Sequence, residues 1–284
     1  MVREPAERKV KAPWTSDHVL KWLVDTGTSL RTRDGRKICC LEFRYQQDER
    51  ILSAWAKHFR NHYCNDEEID ELREGTGLAR QQYLEQHVFP DSACAPGPSI
   101  RSGDFAEILV ADYLEYLLGY WVPRFRYDCK SVRNESTKGT DILGFRWAGK
   151  TESAEDILAM FEAKASLSET GVRTRLQDAV NDSVKDIHVR KAETLNALKR
   201  RYIREGNHSR ALAIQRFQNV ADHPYREISG AVALFTRGAY DSKTVSETET
   251  SHHPNAANII LVVITGDDLM RLAHDLYRRA AREA

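Results

Sequence analysis

Glu107, Asp141, Glu162 and Lys164 are of the types and spacing that hydrolysis of a phosphodiester needs. Such a substrate is an anion that repels nucleophiles. A hard divalent cation held by carboxylates neutralises charge in the transition state and acidifies the attacking water. Mg²⁺ takes oxygen ligands and keeps several waters, so Asp141, Glu162 and Glu107 suffice to hold it, with the main-chain carbonyl of Ala163 as a further ligand and Mn²⁺ as a substitute metal. Lys164, two residues from Glu162, is placed to hold or polarise the water and to offset the dense negative charge.

Three elements must position these groups. Glu107 sits early in the amphipathic run 104–118, where helical spacing aligns it with Val110, Ala111, Leu114 and Leu118 on an apolar face. Asp141 follows the turn-like stretch 133–139 and opens the apolar run Asp-Ile-Leu-Gly-Phe, so it reads as the first residue of a strand. In 157–164 a period of two puts Glu162 and Lys164 on one face with Leu158 and Met160, and Ile157, Ala159, Phe161 and Ala163 opposite.

Each piece has a plainer reading. Glu107 stands three residues after Asp104 and could complete a capping box. Asp141 could be a turn residue, and Glu162 with Lys164 could be an ion pair on a half-exposed strand. The combined order of acid on an apolar helix face, acid at a strand start and Glu-x-Lys inside an apolar strand favours the active site.

A chain of 284 residues can bury a full core and hold one large or two smaller domains. With 42 basic and 42 acidic residues it projects no global positive field, so any nucleic-acid surface must be local. The longest apolar run, 259–264, is strand-sized rather than membrane-spanning. The charged N-terminus does not read as a signal peptide, so the cytoplasm is the expected location. Cys39, Cys40, Cys64, Cys94 and Cys129 show no CxxC spacing and read as reduced thiols.

In chain order, 1–13 reads as a flexible basic arm, 14–25 as a short helix, 37–45 as a strand and 48–62 as an amphipathic helix. Two short helices follow over 65–72 and 77–88. The stretch 89–99, with three prolines, reads as a linker, which places a boundary near residue 98. Beyond it come the Glu107 helix, an aromatic edge strand over 119–127 and the Asp141 and Glu162 strands. Helices from about Thr170, buried strands over 231–235 and 258–265, and a capped C-terminal helix from Asp267 complete an α/β order with a mixed sheet between helices.

Between Lys185 and Arg216, nine Lys or Arg face three acids, a local excess suited to phosphate contact, to a solvated helix face or to an acidic partner. Gln177, Asp178 and Lys185 are secondary candidates bordering the site. His58, His62 and Cys64 have ligand-like spacing without an evident fourth ligand and read as cover for a core edge. His252 and His253 read as exposed in a polar loop. No serine nucleophile elbow, Walker loop or Rossmann fingerprint occurs.

Helix-Glu107, strand-Asp141 and strand Glu162-Ala163-Lys164 resemble the PD-(D/E)XK nuclease superfamily. Within it, Arg101-Ser-Gly-Asp-Phe-Ala-Glu107, Lys138-Gly-Thr-Asp141 and Phe161-Glu-Ala-Lys164 are similar to the HamA family of the Hachiman anti-phage defence system. The resemblance implies a restriction-endonuclease-like core over 99–284 and a Mg²⁺-dependent deoxyribonuclease acting on DNA with a HamB-like helicase partner. Residues 1–98 form an N-terminal α+β region expected to contact that partner. Thr140 stands where the superfamily name has proline, and Gln177 lacks a tyrosine four residues on. The competing class is a catalytically silent subunit that keeps the fold to bind DNA or a helicase.

Overall fold

The computed structural model describes residues 14–128, 130–168 and 171–284; the N-terminal arm, Cys129 and the expected helix start at Thr170 lie outside the described residues. The elements run α1 (Asp17–Trp22), β1 (Leu23–Arg31), β2 (Lys37–Phe43), α2 (Glu49–Asn61), α3 (Ile69–Arg73), α4 (Arg80–Tyr83) and α5 (Gly97–Asp112). Then come β3 (Ile142–Arg146), β4 (Ile157–Ser166), α6 (Arg175–Lys185), α7 (Lys191–Arg204) and α8 (His208–Gln215). The chain closes with β5 (Arg226–Thr236), α9 (Ser242–Ser246), β6 (Ile259–Gly266) and α10 (Leu269–Arg282). A π-helical turn over Asp186–Arg190 joins α6 to α7.

The most apolar runs become the centre of the sheet because a strand buried on both faces has no polar side to show. Sheet order is β1-β2-β6-β5-β4-β3. β2, β6, β5 and β4 are parallel neighbours, and β1 and β3 close the edges antiparallel, so the sheet is mixed as expected. One face packs on α2, α5 and α10 through Phe161, Val232 and Val262. The other packs on α6 through Ala231, Ala233 and Val263 and on α7 and α8 through Leu158 and Met160. Gly230 lies opposite Phe161, and a Cβ there would come 2.2 Å from the Phe161 ring, so only glycine lets β4 and β5 pair at that register. No helix among the described residues is long and apolar enough to cross a membrane.

Three expectations need correction. The boundary near residue 98 does not divide the sheet, since β2 hydrogen-bonds to β6 along Ile38–Phe43 and α2 packs in the same core as α5 and α10. Nor is 89–99 a linker: Phe89 is fully buried and α5 already begins at Gly97. The aromatic strand over 119–127 forms only an isolated bridge, Trp121 to Phe145, because its buried residues go to side-chain partners instead of a ladder. β1 is the strand that the sequence pattern concealed. Its edge position leaves most of its side chains exposed, without alternation.

Candidate active site

Gly139, at φ +102°, turns the chain into β3, and the next amide, Thr140 N–H, donates to Thr194 Oγ1 at 3.1 Å. This fixes Asp141 one residue before the strand. The β3–β4 register pairs Ile142 with Phe161, so Asp141 arrives beside Glu162, and its Oδ2 accepts the Ala163 amide at 3.3 Å. β4 presents Glu162 and Lys164 on one face, as its period requires. Glu107 comes from α5, which packs across β4. Asp104 does not cap that helix: it lies in its middle, where its carboxylate accepts from Tyr63 Oη at 2.7 Å and Lys130 Nζ at 2.6 Å. Glu107, Asp141, Glu162, Ala163 and Lys164 all line one cleft of ≈ 1050 Å³.

Cations from elsewhere in the chain thread this cluster. Arg126 donates from Nε to Glu107 Oε2 at 2.5 Å and from Nη2 to Asp141 Oδ1 at 2.6 Å, while Nη1 bonds the Thr140 carbonyl at 2.8 Å. Tyr127 Oη also donates to Glu107, at 2.5 Å. Lys164 Nζ lies 2.7 Å from Glu162 Oε1 and 2.7 Å from Asp182 Oδ2. Arg190 donates to Glu162 Oε2 at 3.0 Å. Burial pushes the Asp141 carboxyl up to about 6, with Arg126 opposing the rise and Glu162 adding to it. Glu107 rises for the same first reason, opposed by Arg126 and reinforced by Asp141. One guanidinium shared by two carboxylates does not offset both desolvations, so the upward direction stands. Burial works against the charge on Lys164, yet hydrogen bonds to Asp182 and Glu162 hold its ammonium above the ordinary lysine value.

Three carboxylates and the Ala163 carbonyl are hard oxygen donors, the set a divalent Mg²⁺-like ion takes. A buried carboxylate on which Glu162 acts adds to the fit: neither oxygen of Asp186 has a hydrogen bond of normal length. Sequence reading missed Arg126, Tyr127, Asp182, Asp186 and Arg190. Only the last three left a trace, recurring every four residues along α6 and its π turn.

The secondary candidates divide. Lys185 reaches Asp182 at 2.5 Å and so stands one link from Lys164. Asp178 pairs with Arg175, and Gln177 turns away to exchange hydrogen bonds with the Glu249 backbone. Most of the basic stretch over 185–216 is also committed internally, Lys191 to Glu227 and Arg216 to Asp156 among others. Arg200 and Arg204 make no ion pair among the described residues and line the groove that joins the cleft at Lys138 and Asp141.

His58 and His62 do find further ligand types, His18 and Asp112, and ligand atoms of His18, His58 and Asp112 lie within 4.8 Å of one another, but the tautomer of His58 turns an N–H toward the carboxylate. His58 Nδ1 accepts the Thr15 amide at 3.1 Å, so its Nε2 carries the proton and faces Asp112 Oδ1 at 3.0 Å. His18 Nε2 takes the other oxygen at 2.8 Å, and Arg124 Nη1 lies 2.7 Å from Oδ1. Burial lowers His58 to about 4, which keeps it neutral, and Arg124 supplies the counter-charge. Replacing Asp112 with Asn is expected to cost about 3–5 kcal/mol in denaturant unfolding, because Arg124 loses its fully buried partner. A transition-metal chelator is expected to leave the wild-type melting temperature unchanged; a fall on chelation would restore the metal reading. His253, expected to be exposed, is buried against Ser183 Oγ at 3.1 Å, whereas His252 is exposed as expected.

Residues 17–280 match the family model described as HamA. No curated protein matches the chain.

Proposed function

Because the chain belongs to the HamA family, we propose that it is a divalent-metal-dependent deoxyribonuclease with a PD-(D/E)XK centre. It is the effector subunit of an anti-phage defence complex in which a helicase partner restrains or licenses it. The observation that carries this reading is the convergence of Glu107, Asp141, Glu162, Ala163 and Lys164 on one cleft.

Bound Mg²⁺ supplies Lewis acidity and lowers the pKa of a coordinated water. Asp141, just before β3, and Glu162 on β4 would hold the cation, with Glu107 contributed by α5. Lys164 keeps its proton, since Glu162 and Asp182 stabilise the ammonium, and therefore acts as a charged hydrogen-bond donor to the developing phosphorane instead of a base.

Arg126 between Glu107 and Asp141 favours the competing class, a silent subunit whose acids have become structural. Cleavage assays of the variants discussed below separate the two.

In the groove next to the cleft, Lys138, Arg200 and Arg204 make no ion pair among the described residues and would meet phosphates. Each phosphate contact to duplex DNA contributes about 0.9 to the slope of log K against log salt. Arg200→Ala with Arg204→Ala is therefore expected to lower that slope by up to about 1.8 in anisotropy titrations against NaCl, with the fold intact. An unchanged slope assigns the DNA path to another face.

A further inference from the structure

We propose that Asp186 is a ligand of the same divalent-cation centre, joining Glu162 and Asp141 from the helical side of the sheet. The inference rests on the nuclease reading and adds a residue to it. Asp186 is 1% exposed, and neither of its carboxylate oxygens has a hydrogen bond of normal length. Buried carboxylates without donors are rare because the desolvation cost goes unanswered. The neighbouring hydroxyl, Thr140 Oγ1, is buried and lies near enough to favour the carboxylate without forming a hydrogen bond of normal length. Their separation in sequence is large, yet both border the loop that delivers Asp141.

The cation nearest to Asp186 is Arg190, whose Nη1 stands 3.8 Å from Asp186 Oδ1 and 3.0 Å from Glu162 Oε2. One guanidinium group thus lies between the two carboxylates and hydrogen-bonds only Glu162. The fields of Glu162 and Asp141 both act on Asp186, so these three acids share one pocket of negative potential. A carboxylate buried at such a place, with no hydrogen bond of normal length and a second acid across a single cation, is what a hard divalent ion selects.

Mn²⁺ binding to the full chain, followed by calorimetry and by electron paramagnetic resonance of the free ion, tests this without activity as the readout. Asp186→Asn is expected to weaken Mn²⁺ binding at least tenfold, as Glu162→Gln and Asp141→Asn are also expected to do. Asp186→Cys is expected to weaken Mn²⁺ and to strengthen Cd²⁺ relative to the wild type, since thiolate is a soft ligand. A packing role would not move that selectivity. Mn²⁺ affinity within twofold of wild type in Asp186→Asn, or no gain of Cd²⁺ in Asp186→Cys, overturns the assignment while leaving the nuclease reading in place. If Asp186→Asn fails to fold, the Cys variant decides alone. Should Glu162→Gln and Asp141→Asn also bind Mn²⁺ normally, it is the nuclease reading that falls.

Discussion

Glu162→Gln and Lys164→Ala are each expected to reduce Mg²⁺-dependent cleavage of plasmid DNA by about 10²- to 10³-fold, the range seen when one preorganised charge is removed from a transition state. The two losses have different origins. Glu162 is 2% exposed and holds Lys164 and Arg190 as well as the proposed cation, so its amide removes a ligand and misplaces both cations. Lys164 is exposed enough to meet substrate, and its loss leaves Asp182 facing Glu162 without the ammonium between them. Far-UV circular dichroism and melting should show both variants folded. Cleavage at wild-type rates by either variant would reject the site. A wild type that leaves DNA intact with Mg²⁺ or Mn²⁺, with the partner present and with it removed, while still binding DNA, would establish the silent class instead.

The second large effect is expected at Arg126. Removing its guanidinium as Arg126→Ala leaves Glu107 and Asp141 buried against each other without the cation they share, a loss of about 3–5 kcal/mol in unfolding free energy. Arg126→Lys keeps one charge but not the fork that reaches both carboxylates, and falls between the two. Metal separates the readings. If these acids hold a divalent ion, Mn²⁺ should stabilise the alanine variant more than the wild type, since the ion takes over the missing positive charge; occupancy at 100 times Kd is worth about 2.7 kcal/mol. A structural ion-pair network without a cation site predicts no Mn²⁺-dependent recovery. Equal stability of Arg126→Ala and wild type in the absence of metal would show that the bridging geometry carries no energy.

Local pattern was enough for much of the frame. Strands β2, β4, β5 and β6 follow from their apolar runs and helix α2 from its period-3.6 spacing, and Glu162 and Lys164 lie on the strand that the pattern assigns, whereas Asp141, expected as the first residue of a strand, stands one residue before β3. Glu107 interrupts a buried helix face, and the structure explains it with Arg126 and Tyr127 in place of a cap. The stretch 119–127 misled for the opposite reason. Its alternation of large residues is real, but Tyr120, Val122 and Tyr127 enter the core while Arg124 and Arg126 reach Asp112 and Asp141. Buried arginines paired with distant acids produce the same period as a strand.

What the sequence determined by itself is therefore the set of elements whose burial is recorded in their own neighbours, together with the identities of the acids and lysine that those elements carry. Tertiary structure alone decided that residues before 98 complete the same sheet, that Arg126 and Arg190 thread the acid cluster, and that His18, His58 and Arg124 enclose Asp112. The physical reason is range. Hydrophobic periodicity is a local consequence of which face is buried, whereas a charge is satisfied by whichever opposite charge the fold brings near, and nothing in the adjoining residues encodes which one that is.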